Sequence, residues 1–327
     1  MRVRSIGFLV SCLLCSAGLL LGTAAQSQGS YPTESIKILV PFPPGSAPDV
    51  ITRVLAKQLP EFLAQPVVVE NRPGAGGIIA VETVARAAPD GYTLLMGTIG
   101  THALNVAIYG NKLKYDPAKD FVPVSQVGIV PHVVLIDAKI PATTMKEFLA
   151  IARSRQLNYA SAGSGSGMHL ATELMNSMAN LNMLHVPYKG PSEAMTGVIS
   201  GDAALTIPAI PATLPLIKDG RVRAIAVTSS QRSEMLPDVP TMAEVGFVGF
   251  DFSNWSGIFA PAGTSPEIVN KLAHAIQKAL QKEELRKTLS GQGVLIVGSS
   301  PEAFKATIQA DVDRWSKVAR SANIEAN

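Results

Sequence analysis

Two separate stretches of the chain spell the same order of elements. Apolar runs at residues 36–41, 67–69 and 92–96 read as strands, and helical patterns near 48–60 and up to residue 88 lie between them. Runs at 157–162, 183–186 and 203–207 repeat the plan, with helices expected to about residue 180 and to about residue 200. Gly- and Pro-rich loops stand at each junction: "FPPGSA", "NRPGAGG", "AGSGSG" and "PYKGPS". A βαβαβ order written twice implies an α/β protein of two lobes, with parallel sheets covered by helices on both faces. The shared order carries no residue-level repeat. At 327 residues the chain is also long enough for two cores.

Two apolar segments, residues 122–136 and 250–263, are placed to join the halves. Two crossings return the C-terminal part to the first lobe. The expected division is therefore residues 26–128 with 254–327 as one domain and 129–253 as the other. The returning part shows helical faces: Ile268, Leu272, Ile276 and Leu280 share one, and Phe304, Ile308, Val312 and Trp315 another. Trp255, inside the second crossing, reads as hinge packing. A two-segment hinge lets the loops at the carboxyl ends of the strands meet across a cleft.

Residues 1–25 read differently. Arg2 and Arg4 precede an apolar run from residue 6 to 21, and small residues follow at 22–25. This is the pattern of a secretory signal, so an exported, periplasmic protein is expected. No later segment offers the about 18 unbroken apolar residues of a membrane helix. The segment carries two arginines, no acid and both cysteines, Cys12 and Cys15. Its removal takes the net charge from +3 to +1 and leaves no thiol. A near-neutral mature chain offers no electrostatic case for nucleic acid, and without cysteine it has neither a disulfide nor a Cys nucleophile. The five histidines are scattered without metal-ligand spacing, so no metal and no cofactor is expected.

The loop of residues 162–167 invites three chemistries. A nucleophile elbow needs G-x-S-x-G, but Ser164 is flanked at two residues by Ala162 and Ser166, and Ser166 by Ser164 and Met168. A serine hydrolase built on Ser164 or Ser166 therefore lacks its motif, and catalysis is not expected. The dinucleotide pattern G-x-G-x-x-G fails in both glycine loops, and no G-K-[ST] occurs. Anion binding by backbone remains: a Gly/Ser loop entering a helix presents N–H groups at the positive end of its dipole. The loop of residues 42–47 holds the same place in the first half. Tight turns with good caps account for either loop alone; two in matching places favour a ligand. Asp49 complements its helix dipole or reaches the ligand. Thr101 and His102 follow the third strand, as core or cleft residues. Asn71 and Arg72 are expected to pin their own loop, and Lys189 to be a solvated charge.

The block "ENRPGAGGIIAVETVARAAPDGYTLLMG", with "VPFPPGSAPDV", "HVPYKGPSEAM" and "WSGIFAPAGTSPE" in the same order, resembles the Bug family of periplasmic solute receptors serving tripartite tricarboxylate transporters. The resemblance covers essentially the whole mature chain. It implies a type II periplasmic-binding-protein fold and a monomer without catalysis or cofactor. The receptor would hand a small carboxylate to membrane permease subunits; a sensory receptor of the same fold is the alternative. Carried over by motif, the ligand-binding candidates are Phe42, Gly45, Ser46, Ala47 and Asp49 in the first lobe. In the second they are Ser161, Ser164, Gly165, Ser166 and His169. Thr98, Thr101, His102 and Ile207 would shape the distal pocket, with Tyr188 opening the next helix. The family's first loop usually reads P-G-G-x-x-D; here Ser46 replaces the second glycine and adds a hydroxyl. Family ligands include di- and tricarboxylates, acidic amino acids and aromatic acids. Neither loop contains Lys or Arg, which favours one held carboxylate, and Phe42, Ile99 and Ile207 are expected to form an apolar wall.

Overall fold

The computed structural model describes residues 31–324; the signal-like segment lies outside the described residues. Eleven strands among them form two sheets. The first sheet is built from β1 (Ile36–Val40), β2 (Val67–Asn71), β3 (Thr93–Thr98) and β4 (Phe121–Pro131). The second takes β5 (Val133–Asp137), β6 (Asn158–Ser161), β7 (Leu184–Pro187), β8 (Leu205–Thr206) and β9 (Val222–Val227). The chain then returns to the first with β10 (Ser253–Pro261) and β11 (Leu295–Ile296). The orders are β2-β1-β3-β10-β4-β11 and β7-β6-β8-β5-β9.

The strands read from the two repeated stretches are parallel in each sheet: β2, β1 and β3, and β7, β6 and β8. The sheets as wholes are mixed. β10 runs antiparallel to both β3 and β4, and β5 antiparallel to β8 and β9. The expectation of parallel sheets fails at the strands outside the βαβ units. β10 and β5 carry the chain from one sheet to the other, so no crossover helix sets their direction.

Helices cover both faces of the first sheet. Ile38 and Val40 pack with Leu55 of α1 (Ala47–Gln58) and with Ile276, while Leu39 packs on the opposite face with Val81 and Phe304. That alternation is the strand period of two, and burial on both sides explains the unbroken apolar runs. In chain order come α2 (Pro60–Leu63), α3 (Ile78–Ala85), a π-turn over Gly100–Leu104, α4 (Asn105–Tyr109) and α5 (Met145–Ser154). Then follow α6 (Gly167–Ala179), α7 (Pro191–Ser200), α8 (Leu214–Lys218), α9 (Pro266–Leu280), α10 (Glu283–Ser290) and α11 (Pro301–Ser321). α5 carries a complete capping box, Thr144 with Glu147. Ser265 and Ser300 cap α9 and α11.

The chain leaves the first sheet at Pro131 and enters the second at Val133, and it comes back between Val227 and Ser253. Thr228 ties these two crossings together. Its Oγ accepts the His132 N–H at 3.1 Å and donates to the Phe252 carbonyl at 2.7 Å. Trp255 is fully buried, and its Nε1 donates to Asp311 on α11 at 2.7 Å.

Candidate functional site

After β1 and after β6 the chain makes the same turn. The Ser46 N–H donates to the Pro43 carbonyl at 3.2 Å, and the Ser166 N–H to the Gly163 carbonyl at 3.1 Å. The third turn residue is Gly45 in one, with φ +82°, and Gly165 in the other, with φ +74°. A type II turn demands positive φ at that position, and glycine adopts it without strain. The serine that follows is the helix N-cap in both cases, with φ and ψ of −68° and 156° at Ser46 and −65° and 158° at Ser166.

Four residues past each glycine, a side chain reaches back to the glycine N–H. Asp49 Oδ2 accepts from Gly45 at 2.8 Å, and His169 Nδ1 accepts from Gly165 at 3.0 Å. The chain thus contains a structural repeat, [P/G]-x-G-S-x-x-[D/H], that the sequence hides because the last position changes residue type.

The two acceptors are held differently. Asp49 is buried, and its carboxylate also accepts from Arg53 Nε at 3.0 Å and Asn71 Nδ2 at 2.8 Å. Burial pushes its pKa up, but the Gly45, Arg53 and Asn71 donors outweigh this and hold it below the usual carboxylate range. Asn71 pins the loop further by donating to the Phe42 carbonyl at 3.0 Å, while Arg72 pairs with Glu70. Asp49 thus has both oxygens committed to protein donors and organises the loop from behind. Its neighbour Ser46 is unlike Ser166. Ser166 Oγ accepts the His169 N–H at 3.3 Å, whereas the buried Ser46 Oγ has no hydrogen-bond partner among the described residues.

Behind the second turn lies a stack of rings. His169 and His185 are stacked with centroids 3.8 Å apart, and Tyr159 stacks on His185 at 5.0 Å. The Ser161 hydroxyl lies 2.6 Å from His185 Nε2, accepts the Gly163 N–H at 3.1 Å and donates to the Gly163 carbonyl at 3.0 Å. Burial, with the neighbouring His185, depresses His169 to about 4, so it is a neutral acceptor at neutral pH. Ser161 and His185 are a Ser–His pair, but the serine is fully buried and bonded within its own turn. Ser166 is spent as a cap.

The remaining candidates separate into wall and core. The second turn abuts the first lobe: a Cβ on Gly165 would come within 2.9 Å of Ile108 on α4, and one on Gly167 would lie 3.6 Å from Leu104. A Cβ on Gly45 would meet open space. Phe42 is half-buried and Ala47 exposed. Thr98 and Thr101 are buried and bonded to each other.

His102 is fully buried, stacked on Phe259 at 3.9 Å and near Phe121. Desolvation depresses it to about 3. A place for His102 at the cleft is corrected by this aromatic surround: the π-turn rotates its ring under Gly97, whose missing side chain leaves room for it. Ile99 and Ile207 are likewise inside the core, so the expected apolar wall reduces to Phe42. Tyr188 lies across α7 in the space left by Gly197 and turns its backbone carbonyl toward Gly163. His185 and Ile108 escaped the sequence reading. His185 sits in a recognisable strand, but only strand pairing shows that it stacks behind the loop; Ile108 comes from another part of the chain. Among the described residues no cluster of His, Cys, Asp and Glu could hold a metal, and no helix is long and apolar enough to cross a membrane.

Two α/β lobes joined by two crossings, with backbone-lined turns at helix N-termini, define the class of two-lobed solute receptors. The chain belongs to the tripartite tricarboxylate transporter family receptors, whose model matches residues 51–324. It is 37% identical over 315 residues to Protein BugT of Bordetella pertussis, covering 94% of this chain and 96% of that one. It also resembles an R. palustris protein solved with adipate, with a TM-score of 0.75, 35% identity and coverage of 90% of this chain and 100% of the other. MatC of Rhodopseudomonas palustris, solved with bound malate, gives a TM-score of 0.71 at 34% identity, covering 88% of this chain and 99% of that one.

Proposed function

We propose that this receptor captures a small carboxylate in the cleft between its lobes and delivers it to the permease subunits of a tripartite tricarboxylate transporter. The observation that carries the reading is the pair of matched turns. Each points backbone N–H groups out of the start of a helix of at least three turns, and neither contains a fixed cation. Such a cradle suits a carboxylate, which backbone donors and the helix dipole hold without Lys or Arg. A charge-assisted hydrogen bond contributes roughly 1.5–3 kcal/mol, and micromolar affinity requires about 8 kcal/mol. Four to six such contacts reach that value after ordering costs.

The ligand-contacting set is Phe42, Gly45, Ser46 and Ala47 from the first turn and Ser164, Gly165 and Ser166 from the second, with Ile108 closing over Gly165. Asp49, Ser161 and His169 hold those turns in shape. Residues 1–25 act as the export signal, and the lobes comprise residues 26–128 with 254–327 and residues 129–253. The relatives solved with adipate and malate point first to dicarboxylates. Thermal-shift screening of residues 26–327 against adipate, malate, glutamate, benzoate and citrate tests this. A ligand at 100 times its Kd adds about 2.7 kcal/mol of stability. A single class of hits, with compaction by X-ray scattering, is the expected result. A well-folded, ligand-free protein that none of the five stabilises contradicts it.

A further inference from the structure

The second turn is held from below by His185 of β7. With the Ser161 hydroxyl hydrogen on the Gly163 carbonyl, His185 Nε2 is the donor of the 2.6 Å contact between them. Ser161 then meets three partners, two of them in the turn. His185 also lies flat against His169, whose Nδ1 holds the Gly165 N–H. One imidazole thereby touches both supports of the turn.

We propose that His185 is a positioning residue of the second cradle, and that the His169–His185 stack takes up one proton from solvent when a carboxylate binds there. This rests on the carboxylate reading given above. The chemistry follows from which nitrogens are free to accept. His169 Nδ1 is occupied by the Gly165 N–H, and protonating it would break the turn. His185 Nε2 already carries hydrogen, so the proton goes to His185 Nδ1, and the resulting cation still donates to Ser161. The groups facing the stack are Tyr159, which stacks on His185, and Glu173, which accepts the Tyr159 hydroxyl. Burial holds His185 below its ordinary value in the free protein, so it is poised neutral. An anion on the turn then supplies the charge partner that the loop sequence lacks.

The sign follows. A pKa raised by binding makes affinity greatest below the free-protein value, and the gain is lost as pH rises through the bound-state value. Each unit of increase corresponds to about tenfold in affinity.

Two measurements test this with His185→Gln, which keeps a donor near the Nε2 position but cannot titrate. Calorimetry with adipate and malate at about pH 6.5, a range where histidine titrates, is run in phosphate and in imidazole buffer. Buffer-dependent heats showing proton uptake in the wild type and none in H185Q support the proposal. Equal heats in the wild type, or uptake persisting in H185Q, overturn it. Histidine-ring NMR of the free protein needs no ligand. H185Q should move the His169 midpoint upward and shift the Gly165 amide, whereas an unmoved His169 overturns the positioning role. If neither acid binds but His169 does move, the carboxylate reading and its proton uptake fall together and the positioning role stands.

Discussion

The turns after β1 and β6 share one backbone and differ in what holds it. The first is braced by a buried, ionised Asp49 tied to Arg53 and Asn71. The second is braced by a neutral His169 lying on His185. The first opens to free space at Gly45; the second is covered by Ile108 at Gly165. The N-cap serine is idle in the first and engaged in the second. A common turn geometry therefore leaves three properties to vary separately: the charge of the bracing group, contact with the opposite lobe, and the hydroxyl at the helix start.

The contrast is sharpest at the glycines. Gly165→Leu adds both positive-φ strain and a collision with Ile108 in the opposite lobe. Its expected effect is a loss of at least about 3 kcal/mol in ligand affinity, or about 100-fold, by calorimetry. The same substitution at Gly45 brings its Cβ against no protein atom, so it adds only the conformational penalty, about 1–2 kcal/mol, and should lose less affinity in the same calorimetry. Equal losses of affinity at the two positions would show that Ile108 does not cover the second turn.

The bracing groups come next. Asp49→Ala strands the Gly45 N–H, Arg53 and Asn71 and should cost about 2–3 kcal/mol of stability, whereas His169→Ala removes a neutral acceptor and should cost about 1–2 kcal/mol. Chemical denaturation measures both, and the reverse order would break the comparison.

Acid should separate the same two groups. His169 has a folded-state value of about 4, below its ordinary one. The unfolded chain therefore binds this proton first, and stability falls as pH drops from about 6.5 toward 4. Asp49 is also depressed, so its contribution is present above the ordinary carboxylate value and is lost only at lower pH. Amide exchange, corrected for intrinsic rate, should rise at Gly165 before Gly45 on acidification. Simultaneous release would show that the turns do not have separate braces.

The smallest expected difference lies at the caps. Ser166→Ala should lose about 1 kcal/mol of stability. Ser46→Ala, whose hydroxyl caps nothing, should change thermal stability by less than about 0.5 kcal/mol.

Much of this was legible from sequence because it is local. Gly45 and Gly165 announce their turns through a conformational demand that only neighbouring residues impose. The strands at residues 36–41 and 157–162 show the apolar runs that burial on two faces requires. Asp49 was readable as a first-turn acid, but not as the brace of Gly45. Sequence leaves His102 open between core and cleft, because the π-turn that carries it inward has no sequence signal of its own. Ile99 and Ile207 were misread for a related reason: an apolar residue at a strand end can serve a cleft wall or a core, and packing decides which.

Residue order alone specifies the succession of strands and helices, the sites of the positive-φ turns, the lack of cations in both loops and membership of a receptor family. Each of these depends on residue type and short-range spacing. The folded chain adds that β5 and β10 run antiparallel, that Asp49 and His169 are equivalent braces, that His185 stacks behind the second turn and that Ile108 covers Gly165. Strand pairing and side-chain contact between distant residues depend on where the folded backbone brings them, which short-range spacing does not specify.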